Sequence, residues 1–461
     1  MFFCDIIQIM DKVKTRFKMS PSLQIMLGFM LLILIGTLLL CLPISNQDGR
    51  WLSFVDGLFT STSAVCVTGL QVFDVGAQLT LFGQIVLLVL VQFGGLGIVA
   101  LTSFMFLILR KKINFSNRLA IKESLNKENI QGVVRFIKKV IIITFAIEFV
   151  GALCLLYSTI TYTGSVGKGI FSAIFLAVSA FCNAGFDVFG SETQQFLSFS
   201  PLAGNVLFLL PIMLLIVCGG IGFIVLLGGI KNLKKDQHSK LVIIISSTLV
   251  RVGAIVFMCA EWNNSATIGD LDTGAKIMNS FFQSITTRTA GFATFDQTGL
   301  TSVGAVTSML LMIIGGSPMS VAGGIKTTTF FVLLLLLFKR PNNNGAIILG
   351  NKKISNNMIM KAIKIFLYYI AILIVGVVLI SIFEGGTASL MQIAYECVSA
   401  MSTVGLSMGL TPMLSIFSKI IITLLMFVGR VGMMTVVLAI SIKNTDVINQ
   451  VEYMNSNIII G

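Results

Sequence analysis

Charge is what this chain has least of. Asp, Glu, Lys and Arg together make up 11% of its 461 residues, against 56% hydrophobic residues, and the mean hydropathy is +0.96. A water-soluble fold of this length needs more charge to cover its surface, so a soluble globular protein is excluded. Histidine is scarcer still. His238 is the single one and sits in a polar stretch, which argues against b-type haem and a His-based catalytic site. The eight Cys residues are scattered without a C-x-x-C pair, so neither a disulfide framework nor a zinc site is expected. Paired intramembrane acids and a nucleophile with its base are also missing, which argues against an enzyme. Alternating strand patterns do not occur, which argues against a β-barrel.

What the chain has is long apolar runs. A helix of about 20 apolar residues crosses a hydrocarbon core of roughly 30 Å. Candidate spans cover 22–43, 77–109, 138–160, 201–230, 241–260, 299–338, 359–383 and 414–442, the sixth of them interrupted. The expected class is an all-α polytopic membrane protein. The first span follows KVKTRFK, yet its apolar run exceeds a signal-peptide core and no A-x-A-like site follows it. It reads as a retained helix.

The net charge of +13 points to topology rather than to a nucleic-acid partner. Most Lys and Arg fall at the N-terminus and in three loops, RKKINFSNRLAIKESLNKENIQGVVRFIKK, KNLKKDQHSK and KRPNNNGAIILGNKKISNNMIMKAIK. The positive-inside rule makes those loops and both termini cytoplasmic in a plasma-membrane protein. The opposite loops carry Asp48, Asp74, Asp187, Glu192, Glu261, Asp270, Asp272, Asp296 and Glu384, an acidic face that would concentrate cations. Arg251, Arg288, Lys326 and Arg430 are left at apparent membrane depth, where charge faces a cavity or a partner.

One short pattern recurs four times. SAVCVTGLQVFD centres on Gly69, SAFCNAGFDVFG on Gly185, ITTRTAGFATFD on Gly291 and SAMSTVGLSMGL on Gly405, a period of about 110 residues. Each copy follows a span and an amphipathic stretch too short to cross the bilayer, and each precedes another span. Those later spans share FGGLGIV, CGGIGFI, IGGSPMS and VGRVGMM, glycine pairs that allow close backbone approach or bending. The chain therefore reads as four tandem units of membrane helix, pore loop and membrane helix around a pseudo-fourfold central pore. Their expected limits are a cytoplasmic N-terminus at 1–20, repeat 1 at 21–113, a loop at 114–137 and repeat 2 at 138–231. A loop at 232–240 follows, then repeat 3 at 241–340, a loop at 341–358, repeat 4 at 359–443 and a tail at 444–461.

Irregular backbone at membrane depth is tolerated where it is buried in protein or lines water. Four such loops on one axis would turn their carbonyls inward and replace the hydration shell of a monovalent cation. Glycine suits the site because inward carbonyls can require φ > 0. The expected donors are the main-chain oxygens of Cys66, Val67, Thr68 and Gly69; Cys182, Asn183, Ala184 and Gly185; Arg288, Thr289, Ala290 and Gly291; and Ser402, Thr403, Val404 and Gly405. Their side chains would point outward, with Arg288 bracing the filter from behind.

SAVCVTGLQVFD, ITTRTAGFATFD, SPMSVAGGIKTTT and GRVGMMT together resemble the Trk, Ktr and HKT potassium transporter superfamily over residues 20–461. Eight spans look most like the Ktr-type membrane subunit. The resemblance implies a potassium filter at Gly69, Gly185, Gly291 and Gly405. It also implies K+ as the transported ion, with Na+ the alternative through sodium-coupled or sodium-permeable transport, and no cofactor in this chain. The implied partners are a second copy of the chain, membrane lipid and a cytosolic ring of nucleotide-binding regulatory subunits. Two details depart from the family pattern: SPMSVAGG lacks Gly and Ser or Thr after its Pro, and Met433 stands where Pro is common.

In the sixth span Gly315, Gly316, Ser317, Pro318, Gly323 and Gly324 cannot hold a regular helix. They suggest a flexible loop just cytoplasmic of the filter that blocks the conduit and moves aside. Lys326 ends this loop. Arg430 takes the place that Gly95 and Gly220 hold in earlier repeats, where its charge would repel a passing cation and its donors could hold the loop shut.

Overall fold

The computed structural model describes residues 21–97, 133–191, 193–233, 236–339, 347–349, 352–432 and 435–436. The expected N-terminal segment at 1–20, most of the loop at 114–137, Met433 and the tail at 444–461 lie outside the described residues.

Four helices are long and apolar enough to cross a membrane, one opening each repeat. They are α1 (Pro21–Cys41), α4 (Val133–Thr163), α8 (Gln237–Glu261) and α12 (Asn356–Phe383). Helix α4 begins upstream of residue 138, so part of the expected loop is helical. Each long helix is followed by a shorter one: α2 (Phe54–Val65), α5 (Val166–Cys182), α9 (Thr273–Thr286) and α13 (Leu390–Ser402). These four are buried through their C-terminal halves despite carrying Ser and Thr there. They are the expected pore helices.

The closing helices are α3 (Leu81–Leu96), α6 (Val206–Ile221), α10 (Ser302–Ile313) and α14 (Ile416–Val431), with α7 (Phe223–Leu233) and α11 (Thr327–Phe338) continuing the second and third. A side chain caps each N-terminus: Thr80 accepts from Gly83 N, Asn205 from Phe208 N, Thr301 from Gly304 N and Ser415 from Ser418 N. In repeats 3 and 4 the capping residue is also tied to its long helix. The Glu261 carboxylate accepts from the N and Oγ1 of Thr301 at 3.0 and 2.6 Å, and Glu384 accepts from Ser415 N at 2.8 Å.

The sequence led us to expect one interrupted closing span; among the described residues α6 is interrupted as well as the third, and α3 and α14 end at corresponding glycines. α3, α6 and α14 stop at Gly97, Gly222 and Gly432, with φ of 82°, 96° and 92° and ψ of 134°, 139° and 135°. These are backbone states open to glycine and costly for any residue with a Cβ. Repeat 3 has no glycine there and makes a loop from Ile314 to Lys326 instead. An antiparallel hairpin, β1 (Ile347–Leu349) with β2 (Lys352–Ile354), occupies the loop expected at 341–358. The ring of repeats closes where Lys419 Nζ of α14 meets Asp56 Oδ1 of α2 at 2.7 Å, the sole ion pair among the described residues.

Candidate functional site

The pore helices unwind at the same point and in the same way. In each, the second residue of the expected filter quartet has φ > 0: Val67 at 56°, Asn183 at 57°, Thr289 at 73° and Thr403 at 53°. The fourth does too: Gly69 at 92°, Gly185 at 71°, Gly291 at 83° and Gly405 at 98°. Glycine accepts such angles freely. Val67, Thr289 and Thr403 are β-branched, and a strained φ costs about 1–3 kcal/mol each, so it persists where the surroundings over-determine it. Alternating backbone handedness turns successive carbonyls to one side.

Hydroxyl groups supply part of that restraint. Ser63 Oγ accepts from Gly69 N at 3.0 Å, Ser399 Oγ from Gly405 N at 3.0 Å and Ser179 Oγ from Phe186 N at 3.1 Å. Repeat 3 has Ile285 in register with these serines, and Thr286 takes over, its Oγ1 donating to Phe292 O at 2.7 Å. Amides thus turn back to the pore helices: Thr68 N bonds Ser63 O at 2.8 Å, Ala184 N bonds Ser179 O at 2.7 Å and Val404 N bonds Ser399 O at 2.8 Å. Among the described residues no protein donor reaches the carbonyls of 66–69, 182–185, 288–291 or 402–405. These hydroxyls escaped the sequence reading, although Ser at six residues before Gly69, Gly185 and Gly405 was a visible signal.

The four glycines meet in a closed ring. A Cβ placed on Gly69 would lie 2.5 Å from Ala184 O and 2.9 Å from Gly185 Cα. One on Gly185 would lie 2.9 Å from Ala290 O and 3.1 Å from Gly291 Cα. One on Gly291 would strike Val404 O and lie 3.2 Å from Gly405 Cα, and one on Gly405 would strike Thr68 O and lie 3.0 Å from Gly69 Cα. Each repeat touches the next, and the fourth touches the first.

Beneath this ring the closing helices press on the pore helices. Cβ atoms on Gly94, Gly219 and Gly429 would strike the carbonyls of Val65, Phe181 and Met401 respectively, so the first glycine of each pair is needed for close approach. In repeat 3 the equivalent Gly315 faces Gly323 O of its own loop. That loop is hydrogen-bonded, its two ends running parallel where Ile314 bridges Ile325. Gly315 N donates to Ile325 O at 3.0 Å and Thr327 N to Gly316 O at 3.1 Å. It is also joined to the broken end of α6, with Ser317 N on Gly220 O at 3.0 Å and Phe223 N on Met319 O at 2.9 Å. The break in α6 frees carbonyls that the loop amides then satisfy.

Arg430 spans the space below the ring. Its guanidinium donates to Val321 O of the loop and to Gly94 O of α3, and to Gly95 O at 3.2 Å. Gly323 packs against Ser402 and Thr403 of the fourth filter segment. Lys326 Nζ closes onto Ala322 O of its own loop at 2.5 Å. Arg288 lies behind the third segment: Nη1 donates to Ser246 O and Nη2 to Ser246 Oγ, both at 3.3 Å, and Nη2 also reaches Gly315 O at 3.4 Å. Arg251 is not part of this assembly; it is exposed on α8.

The outer acids divide in two. Asp48, Asp270, Asp272 and Asp296 are exposed, whereas Asp74, Asp187, Glu261 and Glu384 are buried; Glu192 is outside the described residues. Asp74 accepts from Ala77 N at 3.0 Å and, across the repeat boundary, from Phe196 N at 2.7 Å. Burial, with Asp74 nearby, raises the Asp187 carboxyl to about 7.

Four helix–pore loop–helix units sharing one axis define a polytopic helical membrane protein of the pore-loop kind. A family model described as TrkH, cation transport protein, matches residues 10–242 and 237–450. The chain belongs to this TrkH cation transport family and is a transporter rather than an enzyme. It is 36% identical over 457 residues to the potassium/sodium uptake protein NtpJ of Enterococcus hirae, covering 98% of this chain and 99% of that one. It is 36% identical over 430 residues to the Ktr system potassium uptake protein B of Bacillus subtilis, covering 93% and 94%. The crystal structure of the potassium transporter TrkH from Vibrio parahaemolyticus superposes with a TM-score of 0.72 at 18% identity, covering 92% of this chain and 85% of that one, a likeness of fold.

Proposed function

We propose that the chain takes up potassium through the ring formed at Gly69, Gly185, Gly291 and Gly405. The main-chain oxygens of Cys66–Gly69, Cys182–Gly185, Arg288–Gly291 and Ser402–Gly405 replace the water around the ion. The closed contact of the four glycines, each on the next, is the observation that carries this reading. The loop from Ile314 to Lys326 is the gate, and Arg430 is its latch. In the closed position Arg430 both holds Val321 O and sets a positive charge in the ion's path. The names of the relatives, which pair potassium with sodium in one case and give potassium in the other, support K+ as the main cargo with Na+ as a second. As in the family it resembles, the chain acts as a homodimer in the plasma membrane, with both termini cytoplasmic, on a cytosolic nucleotide-binding regulatory ring.

The test is potassium or rubidium uptake in a host that cannot grow on low potassium without a supplied transporter. Expression of this chain with a cytosolic regulatory subunit restores uptake, and omission of that subunit lowers it. Failure to restore uptake with protein present in the membrane contradicts the assignment.

A further inference from the structure

Each repeat has a connector between its ring glycine and its closing helix. It runs over 70–80 in repeat 1, 292–301 in repeat 3 and 406–415 in repeat 4, but over 186–205 in repeat 2. The extra length is not slack. Phe196 and Ser198 have φ of 57° and 46°, a region that residues with a Cβ keep only where their surroundings over-determine it. The Phe196 ring is 47% exposed, so its amide is what fixes this position.

That amide is bonded to repeat 1. Phe196 N donates to Asp74 Oδ2 at 2.7 Å, and the other carboxylate oxygen accepts from Ala77 N at 3.0 Å. Both connectors close around this group: a Cβ on Gly190 would strike the carboxylate, and one on Gly76 would lie 2.6 Å from Gly190 O. In register with Asp74 are Gly190, Asp296 and Leu410. Asp296 accepts from Thr298 N of its own repeat at 2.9 Å, so the bond across a repeat boundary is particular to Asp74.

Two residues beyond Phe196 the same connector grips repeat 3. Ser198 Oγ accepts from Ala293 N at 3.2 Å, and Phe199 N donates to Ala293 O at 2.8 Å. The Phe199 ring stacks on Phe292 with centroids 4.7 Å apart at 14°. Phe292 and Ala293 directly follow Gly291. Support from outside counts here, because Gly69 N and Gly405 N each reach a serine hydroxyl at 3.0 Å, whereas Gly291 N has Thr286 O at 3.4 Å.

We infer that Asp74 is a positioning residue for ion specificity: through Phe196, Ser198 and Phe199 it sets where the third filter segment stands, two repeats away. This inference rests on the filter reading above. The oxygens of Arg288–Gly291 share one ion with those of the other three segments, and their reach changes if Phe292 and Ala293 drift. Asp74 acts through the connector, not on the ion.

The experiment measures K+ and Na+ uptake, half-saturation and maximal rate for Asp74→Asn, Ser198→Ala and the two combined, with Gln195→Ala and Gly291→Ser as references. Asp74→Asn keeps the shape and turns an NH2 group toward one of the two amides. Ser198→Ala leaves the carboxylate alone and frees Ala293 N at the far end, so it reads the same segment even if Asp74→Asn assembles poorly. Each lowers K+/Na+ preference roughly three- to tenfold, the weight of one hydrogen bond, with maximal rate little changed. The combined variant falls no further than the worse single one, because either cut frees the same segment, whereas losses at independent supports would multiply. Gln195→Ala, exposed on the same connector, keeps the parental preference. A support of folding alone would lower abundance and leave preference intact. Parental preference in Asp74→Asn or Ser198→Ala at equal membrane abundance, losses that multiply in the combined variant, or an equal loss in Gln195→Ala overturns the inference. If Gly291→Ser alters preference while Asp74→Asn and Ser198→Ala do not, the filter reading stands and the inference alone falls. If none alters it, both fall.

Discussion

The ring level and the level beneath it are built on opposite plans. At the ring the four repeats agree in backbone: the same two positive-φ positions and the same glycine-to-glycine contact, with the same backward-turned amide in repeats 1, 2 and 4. Where the closing helices end, they disagree. Three closing helices stop at a glycine, the third opens into a hydrogen-bonded loop, and the fourth alone places an arginine beneath the ring. A dehydrated ion needs oxygens on every side, so a defect in one quarter spoils the whole. A barrier needs only one obstruction. On the proposed reading, symmetry is kept where four ligands act together, and it is relaxed where a single element suffices.

The sharpest way to break the symmetric level is Gly291→Ser. The new Cβ strikes Val404 O, and the backbone angle there is open chiefly to glycine. K+/Na+ preference in a flux assay falls about tenfold or more; an unchanged preference removes the filter assignment. The asymmetric level is broken by Arg430→Ala, which releases Val321, Gly94 and Gly95 and removes the charge. Flux rises about three- to tenfold, a barrier change of about 1 kcal/mol. Unaltered or lower transport at equal abundance argues against a latch.

Smaller effects follow from the supports of the ring. Ser399→Ala strands the buried amide of Gly405, and an unsatisfied buried donor costs about 1–3 kcal/mol. A lower melting temperature in detergent is expected, and added K+ recovers part of it by binding the folded form.

Burial raises the Asp187 carboxyl from the ordinary value of 3.8 to about 7, so between those values the folded state holds a proton that the unfolded state has released. Stability therefore falls as pH rises through that window and levels off above about 7. Asp187→Asn flattens this slope in a thermal-melt series from acid to neutral pH. The least effect is at the seam of repeats 1 and 4, where Lys419→Ala removes a partly exposed ion pair and costs about 1 kcal/mol or less.

Much of this arrangement was legible in the chain itself. The period, the pore helices and the four ring glycines follow from a pattern that repeats in register, since each copy must solve the same backbone problem. Legibility failed where different side chains adopt one backbone state. Val67, Asn183, Thr289 and Thr403 share a left-handed conformation that nothing local announces, because the strain is repaid by the packing around the ring. It failed again at Gly97, Gly222 and Gly432. The adjacent glycine pairs were read as allowing close approach or bending; they serve close approach, and the solitary third glycine ends the helix. That α6, broken nearby, offers the loop carbonyls is also invisible to a one-dimensional reading.

By itself the amino-acid order determined membrane residence and fourfold repetition, because hydropathy and recurrence are properties of the chain read one residue after another. Which oxygens are left without donors, where Arg430 lands and what Asp74 holds were decided by tertiary structure. Each depends on segments from different repeats arriving at one place, and the order of the residues does not carry those distances.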